Sequence, residues 1–124
     1  MSRKQPKHLD LLKIRLPLPG WVSILHRISG AMLFLFIPFV LWLLQASLGS
    51  AETYAGFKSA LSNPLVKLVL FSLVWAFLHH FFAGIRYLAL DMHLGIELGL
   101  ARASSIAVLV ASIVLTLLIG VRLW

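Results

Sequence analysis

Three long apolar runs, roughly at 21–48, 65–90 and 104–124, set the terms for this chain of 124 residues. A helix rises 1.5 Å per residue, so about twenty residues cover the ~30 Å hydrocarbon core of a bilayer. Within that core each backbone N–H and C=O must be paired inside the protein, which favours a helix for such a run. The apolar residues come in unbroken stretches and do not alternate with polar ones, so they read as lipid-facing helices. Composition agrees: 60% of residues are hydrophobic and 12% charged, about half the charge of an average soluble domain. The expectation is an all-α membrane protein with three transmembrane helices. Residues 1–20 form an amphipathic arm and 21–124 the anchor domain.

Local signals refine these spans. The Pro19-Gly20 break puts the start of the first helix near Trp21. Pro38 removes a backbone donor and should kink that helix. Asn63 and Pro64 look like the N-cap and first position of the second helix. Between them, Tyr54, Phe57 and Leu61 share a helical face. That fits a short interfacial helix, and a plain loop fits as well. In the third span Ser112, Thr116 and Gly120 recur every four residues, and Ala103, Ala107 and Ala111 form a second row. Small residues at this spacing let helix backbones approach closely, so a packing seam and a partner in the bilayer are expected.

Charge gives orientation. The arm holds Arg3, Lys4, Lys7, Lys13 and Arg15, whereas the first loop holds only Lys58. The positive-inside rule places the N-terminus in the cytoplasm and the C-terminus on the periplasmic side. The formal net charge of +7 flanks apolar spans, so it reads as topology and anionic lipid contact, not nucleic-acid binding. The arm lacks the short apolar core and small-residue cleavage site of a secretory signal. The chain has no cysteine. Disulfides, thiolate iron–sulfur ligation and covalent haem attachment are thereby excluded.

Ionisable groups inside a membrane are functional candidates, because placing one there costs at least ~2.5 kcal/mol on insertion scales. The first span offers Ser23, His26 and Arg27, and the second offers His79, His80, Arg86 and Asp91. Ser23 and Arg27, four apart, share one face; His26 lies about 100° to the side, in line with Gly30 and Leu33. On the second helix His80, Gly84, Tyr87 and Asp91 form one stripe, while His79 shares a different face with Arg86. Gly84, one turn from His80, leaves room for a flat macrocycle or for a neighbouring helix. His80 is therefore either an iron ligand or a histidine hydrogen-bonded to another helix. Arg27 near an interface either binds an anionic group or snorkels to lipid phosphate.

Two segments resemble a known family. SILHRISG, residues 23–30, is similar to the S-I-x-H-R-[IV]-[ST]-G signature of the cytochrome b subunit of bacterial succinate dehydrogenase, the large membrane anchor of respiratory complex II. HFFAGIRYLALD, residues 80–91, resembles its H-x-x-x-G-I-R-x-x-x-x-D segment. The similarity runs from about residue 8 onward. It implies a subunit of succinate:quinone oxidoreductase in the bacterial inner membrane. Its partners would be a second small membrane anchor, an iron–sulfur subunit and a flavoprotein subunit. It implies one haem b shared with the second anchor, and ubiquinone as substrate. By match, His80 is the axial iron ligand, with His79 as second choice. Ser23 and Arg27 lie at the quinone, His26 and Arg27 reach the haem propionates, and Asp91 is a candidate proton relay. The sequence departs from the pattern at Tyr87, where some relatives carry histidine, and in the arm, which reads QPKHLDL. Alternatives are a structural anchor without haem and a menaquinone-linked fumarate reductase anchor. A small transporter or proton channel would need a continuous polar stripe, to which the third span offers no ionisable group before Arg122.

Overall fold

The computed structural model describes residues 13–124, and these form five α-helices with no strand among the described residues. The helices are α1 (Leu18–Leu35), α2 (Ile37–Leu48), α3 (Ala51–Ser62), α4 (Pro64–Asp91) and α5 (Leu98–Leu123). Three of them are long and apolar enough to cross a membrane: α1, α4 and α5. Most of the expected N-terminal arm, including Arg3, Lys4 and Lys7, lies outside the described residues.

Proline chemistry sets the first span. The helix begins at Leu18 and not near Trp21, because Pro19 falls in the first turn, where a missing N–H costs nothing. The N–H groups of Gly20 and Trp21 both reach the Pro17 carbonyl, at 2.9 and 3.3 Å. Pro38 interrupts the helix as expected. It cannot donate to Phe34, so the regular pattern stops at Phe36 (φ −92°, ψ 1°). The ladder resumes at once, with the Val40 N–H donating to the Phe36 carbonyl at 3.0 Å. The first span is therefore two helices, α1 and α2, joined at one residue.

The segment after it is helical. Ser50 and Thr53 form a reciprocal cap: the Ser50 N–H donates to Thr53 Oγ1 at 2.8 Å and the Thr53 N–H to Ser50 Oγ at 3.2 Å. On α3, Tyr54 and Phe57 stack with ring centroids 5.9 Å apart, and the Lys58 ammonium lies 5.1 Å from the Tyr54 ring. No residue of α3 is buried. Asn63 then caps α4, its Oδ1 accepting from the Leu65 N–H at 2.8 Å, with Pro64 as the first helical residue.

α4 ends at a tight reversal. His93 takes a left-handed φ of 59°, its N–H donating to Leu90, while the Leu94 N–H donates to Ala89, both at 2.9 Å. This is the 5→2 and 6→1 pair of a Schellman stop, built on histidine where glycine is usual. α5 starts at Leu98, earlier than the expected 104. The apolar run begins at 104, but the helix also takes in Gly99 and the charged Arg102 before it.

α4 packs against both α1 and α5, and α1 also touches α5. The resulting three-helix bundle has a mixed interior, in which polar residues are buried beside Val22, Leu73, Ala76, Ala83 and Val108. Ser29, His79, Arg86, Ser105, Ser112 and Thr116 are buried, while Phe34, Leu48, Leu65 and Val121 are largely exposed. Lipid tails are as apolar as leucine, so burial inside lipid selects for close packing and hydrogen bonds, not for greasiness. The hydroxyls are satisfied locally. Ser105 donates to Ala101 at 2.8 Å, Ser112 to Leu109 at 3.0 Å and Thr116 to Ser112 at 2.6 Å. One expected small-residue row is a seam within the chain. A Cβ on Gly120 would sit 2.8 Å from the Phe71 ring, so only glycine admits that ring. The alanine row differs: Ala103, Ala107 and Ala111 line an open groove of about 530 Å³ between α4 and α5.

Candidate functional site between the first and fourth helices

The two adjacent histidines of α4 point to different surroundings. The buried face of this helix is Leu73, Ala76, His79, Ala83 and Arg86, a stripe at spacings of three and four. His79 is therefore enclosed by its own chain, with 0% of its surface exposed. Its ring stacks on Trp75 with centroids 5.3 Å apart. It approaches the Val22 backbone at a geometry short of a hydrogen bond, and both ring nitrogens lack a partner among the described residues.

His80, about 100° around the helix, lies on the next face. It meets α1. Its Nδ1 is 3.0 Å from the His26 carbonyl oxygen and 3.3 Å from Ser29 Oγ. A carbonyl can only accept, so Nδ1 carries the proton and Nε2 holds the lone pair. The His26 ring stacks over the His80 ring, centroids 4.1 Å apart and planes 11° from parallel. Tyr87 leans on His26 at 5.2 Å, and its hydroxyl is buried without a partner among the described residues. Of the sequence stripe His80–Gly84–Tyr87–Asp91, His80 and Tyr87 thus meet α1, while Asp91 is exposed. At Gly84 an added Cβ would meet nothing within 4 Å.

The remaining candidates are less constrained. Ser23 is half-buried, whereas Arg27 and Asp91 are exposed. Among the described residues no ion pair joins Arg27 to Asp91. α1 starts at Leu18, so Ser23 lies beyond its first turn, outside the reach of the partial positive charge of the helix start. No cluster of three or more His, Asp or Glu among the described residues is placed to hold a bare metal ion. His26 and His80 lie face to face, so their nitrogens do not converge on one point.

The sequence offers Arg86 as an ionisable candidate on the His79 face and Gly30 on the His26 face, but it names no partner for either and does not single out Ser29. Arg86 is a nearly buried charge, 7% exposed, held by neutral acceptors on α5. Its Nε donates to Ser104 Oγ at 2.9 Å and one terminal nitrogen to the Ala101 carbonyl at 3.3 Å. It also lies 5.7 Å from the Tyr87 ring. Ser29 and Gly30 close the HRISG stretch and touch the His80 ring. The signal for Gly30 was its place on the His26 face; nothing in the sequence identified which α4 residue it would meet.

Comparison with known proteins adds the family. Residues 1–119 match the model for the succinate dehydrogenase/fumarate reductase transmembrane subunit. A succinate dehydrogenase cytochrome b556 subunit of Coxiella burnetii is 39% identical over 125 residues, spanning all of both chains. The protein of the same name from Paracoccus denitrificans is 35% identical over 94% of this chain and 88% of its own length. A succinate dehydrogenase 2 membrane subunit of Mycobacterium tuberculosis is 41% identical over 75 residues, 59% of this chain and 54% of that protein.

Proposed function

The chain belongs to the succinate dehydrogenase/fumarate reductase transmembrane subunit family, and from that premise we propose that it holds one side of a haem b and part of a quinone-reduction site. In this reading it is the large membrane anchor of succinate dehydrogenase. It joins a second small anchor, an iron–sulfur subunit and a flavoprotein subunit, with its N-terminus cytoplasmic and its C-terminus periplasmic. The name cytochrome b556 carried by its relatives supports the haem.

The observation that carries the reading is the contrast between His79 and His80. A cofactor shared between two anchors must bind at the edge of this bundle. His79 has no exposed surface, while His80 stands at the edge with Nδ1–H occupied by a carbonyl. Metal-bound histidines characteristically donate their other ring nitrogen in this way. Gly84, one turn along, leaves the space a flat ring needs. These residues fit a haem b: His80 Nε2 would hold its iron, together with a ligand from the partner anchor. When bound, haem b takes up and returns single electrons, at a potential set by its axial ligands and burial.

This chain's own residues do the rest. Ser23 donates a hydrogen bond to a ubiquinone carbonyl, and Arg27, on the same face, favours negative charge building on that oxygen. His26 and Arg27 would supply donors for the haem propionates. Asp91, exposed at the end of α4, passes protons from the cytoplasmic side to the reduced quinone. Succinate oxidation supplies the two electrons, and two protons complete ubiquinol.

The test is a reduced-minus-oxidised spectrum of the purified complex carrying His80→Ala. Loss of the b-type band is expected. An undiminished band would overturn the ligand assignment, and absence of the band from wild type would favour the structural anchor without haem.

A further inference from the structure

We infer that the end of the SILHRISG stretch, Ser29-Gly30 with the His26 carbonyl, is a socket that fixes the orientation and tautomer of His80, making Ser29 and Gly30 positioning residues for the iron ligand. The inference rests on the assignment of His80 above and extends it to residues that have no role in that reading.

Four contacts on one ring define the socket. The His26 carbonyl lies 3.0 Å from Nδ1, and Ser29 Oγ lies 3.3 Å from the same nitrogen. The Ser29 hydroxyl also donates to the His26 carbonyl at 2.9 Å, tying the two acceptors together. The His26 imidazole covers one face of the ring at 4.1 Å. Gly30 closes the site. A Cβ there would lie 2.9 Å from His80 Cε1 and 3.3 Å from Nδ1. That is closer than carbon atoms approach without something moving. Only glycine lets the ring seat this deeply against α1.

The arrangement has chemical consequences. A proton held on Nδ1 leaves Nε2 as the sole lone pair, so the ligating atom is chosen before any cofactor arrives. A hydrogen bond from Nδ1–H to a backbone oxygen makes the imidazole a stronger donor to iron, and such outer partners typically matter about 10–100-fold in metal affinity. Stronger donation favours ferric iron and lowers the potential. Both acceptors sit on α1, so the packing of α1 against α4 sets the properties of the ligand.

The test uses the intact complex carrying Gly30→Ala, with Gly99→Ala as the control, since a Cβ at Gly99 meets nothing within 4 Å. Gly30→Ala is expected to turn the ring, lengthen the hydrogen bond from Nδ1–H to the His26 carbonyl, shift the low-spin EPR g-values and raise the haem midpoint potential. A tenfold change in the ratio of reduced to oxidised haem corresponds to 59 mV for one electron. Wild-type g-values and potential in Gly30→Ala would overturn the socket. Should that variant fail to assemble, Ser29→Ala, which removes only the hydroxyl, is read by the same spectra. Altered g-values support the socket and unchanged ones overturn it. A full b-type band in His80→Ala would instead sink the ligand assignment, a result distinct from either.

Discussion

Replacing His79 by leucine separates the two histidines in a way that removal of His80 alone does not. His79 has both ring nitrogens buried and unpartnered, and an unsatisfied buried polar group costs about 1–3 kcal/mol. Leucine, similar in size, removes that cost. It also loses the ring contact with Trp75, worth about 0.5–1.5 kcal/mol for an aromatic pair. The two effects oppose, so the expected change lies between about 0.5 kcal/mol of destabilisation and about 2.5 kcal/mol of stabilisation. The haem should stay. Thermal denaturation of the detergent-solubilised complex reads the first quantity, and the reduced-minus-oxidised spectrum reads the second. The reasoning is refuted if His79→Leu abolishes the b-type band, or if it destabilises by more than about 3 kcal/mol, the scale of breaking a satisfied buried network.

Two further outcomes follow from the same packing. Gly84→Val introduces a side chain into open space, so the chain should accumulate in the membrane at wild-type level but carry little haem. Wild-type haem content would show that no macrocycle lies over that face. Gly120→Ala forces a carbon to within 2.8 Å of the Phe71 ring, an overpacking defect of about 1–3 kcal/mol. Phe71→Leu should recover part of it, and a double-mutant cycle in thermal denaturation with no coupling would show that α4 and α5 do not meet there.

Much of this molecule was legible in its residues because membrane helices are specified locally. Backbone satisfaction in lipid fixes helix, and run length fixes the number of spans. Pro38 announced the break at Phe36, and Asn63-Pro64 announced the start of α4. The helical wheel separated the His80 stripe from the His79–Arg86 face, and the structure keeps that separation. Boundaries were less legible. Pro19 looked like a stop but sits in the first turn of α1, and α5 extends past its apolar run to Leu98. The first difference arises because proline in a helix's first turn costs no hydrogen bond, the second because hydropathy marks depth in lipid whereas helix ends follow hydrogen bonding.

The sequence by itself determined three apolar runs long enough to cross a membrane, and which of their imidazole and guanidinium groups share a face. It could not determine which face turns inward. That depended on three helices meeting at once, with Gly30 admitting the His80 ring, Gly120 admitting Phe71, and Ser104 reaching Arg86. Each of these is a contact between residues 18 to 50 positions apart along the chain. A wheel drawn for one helix holds no information about its neighbours, so only packing distinguished the enclosed His79 from the bundle-edge His80.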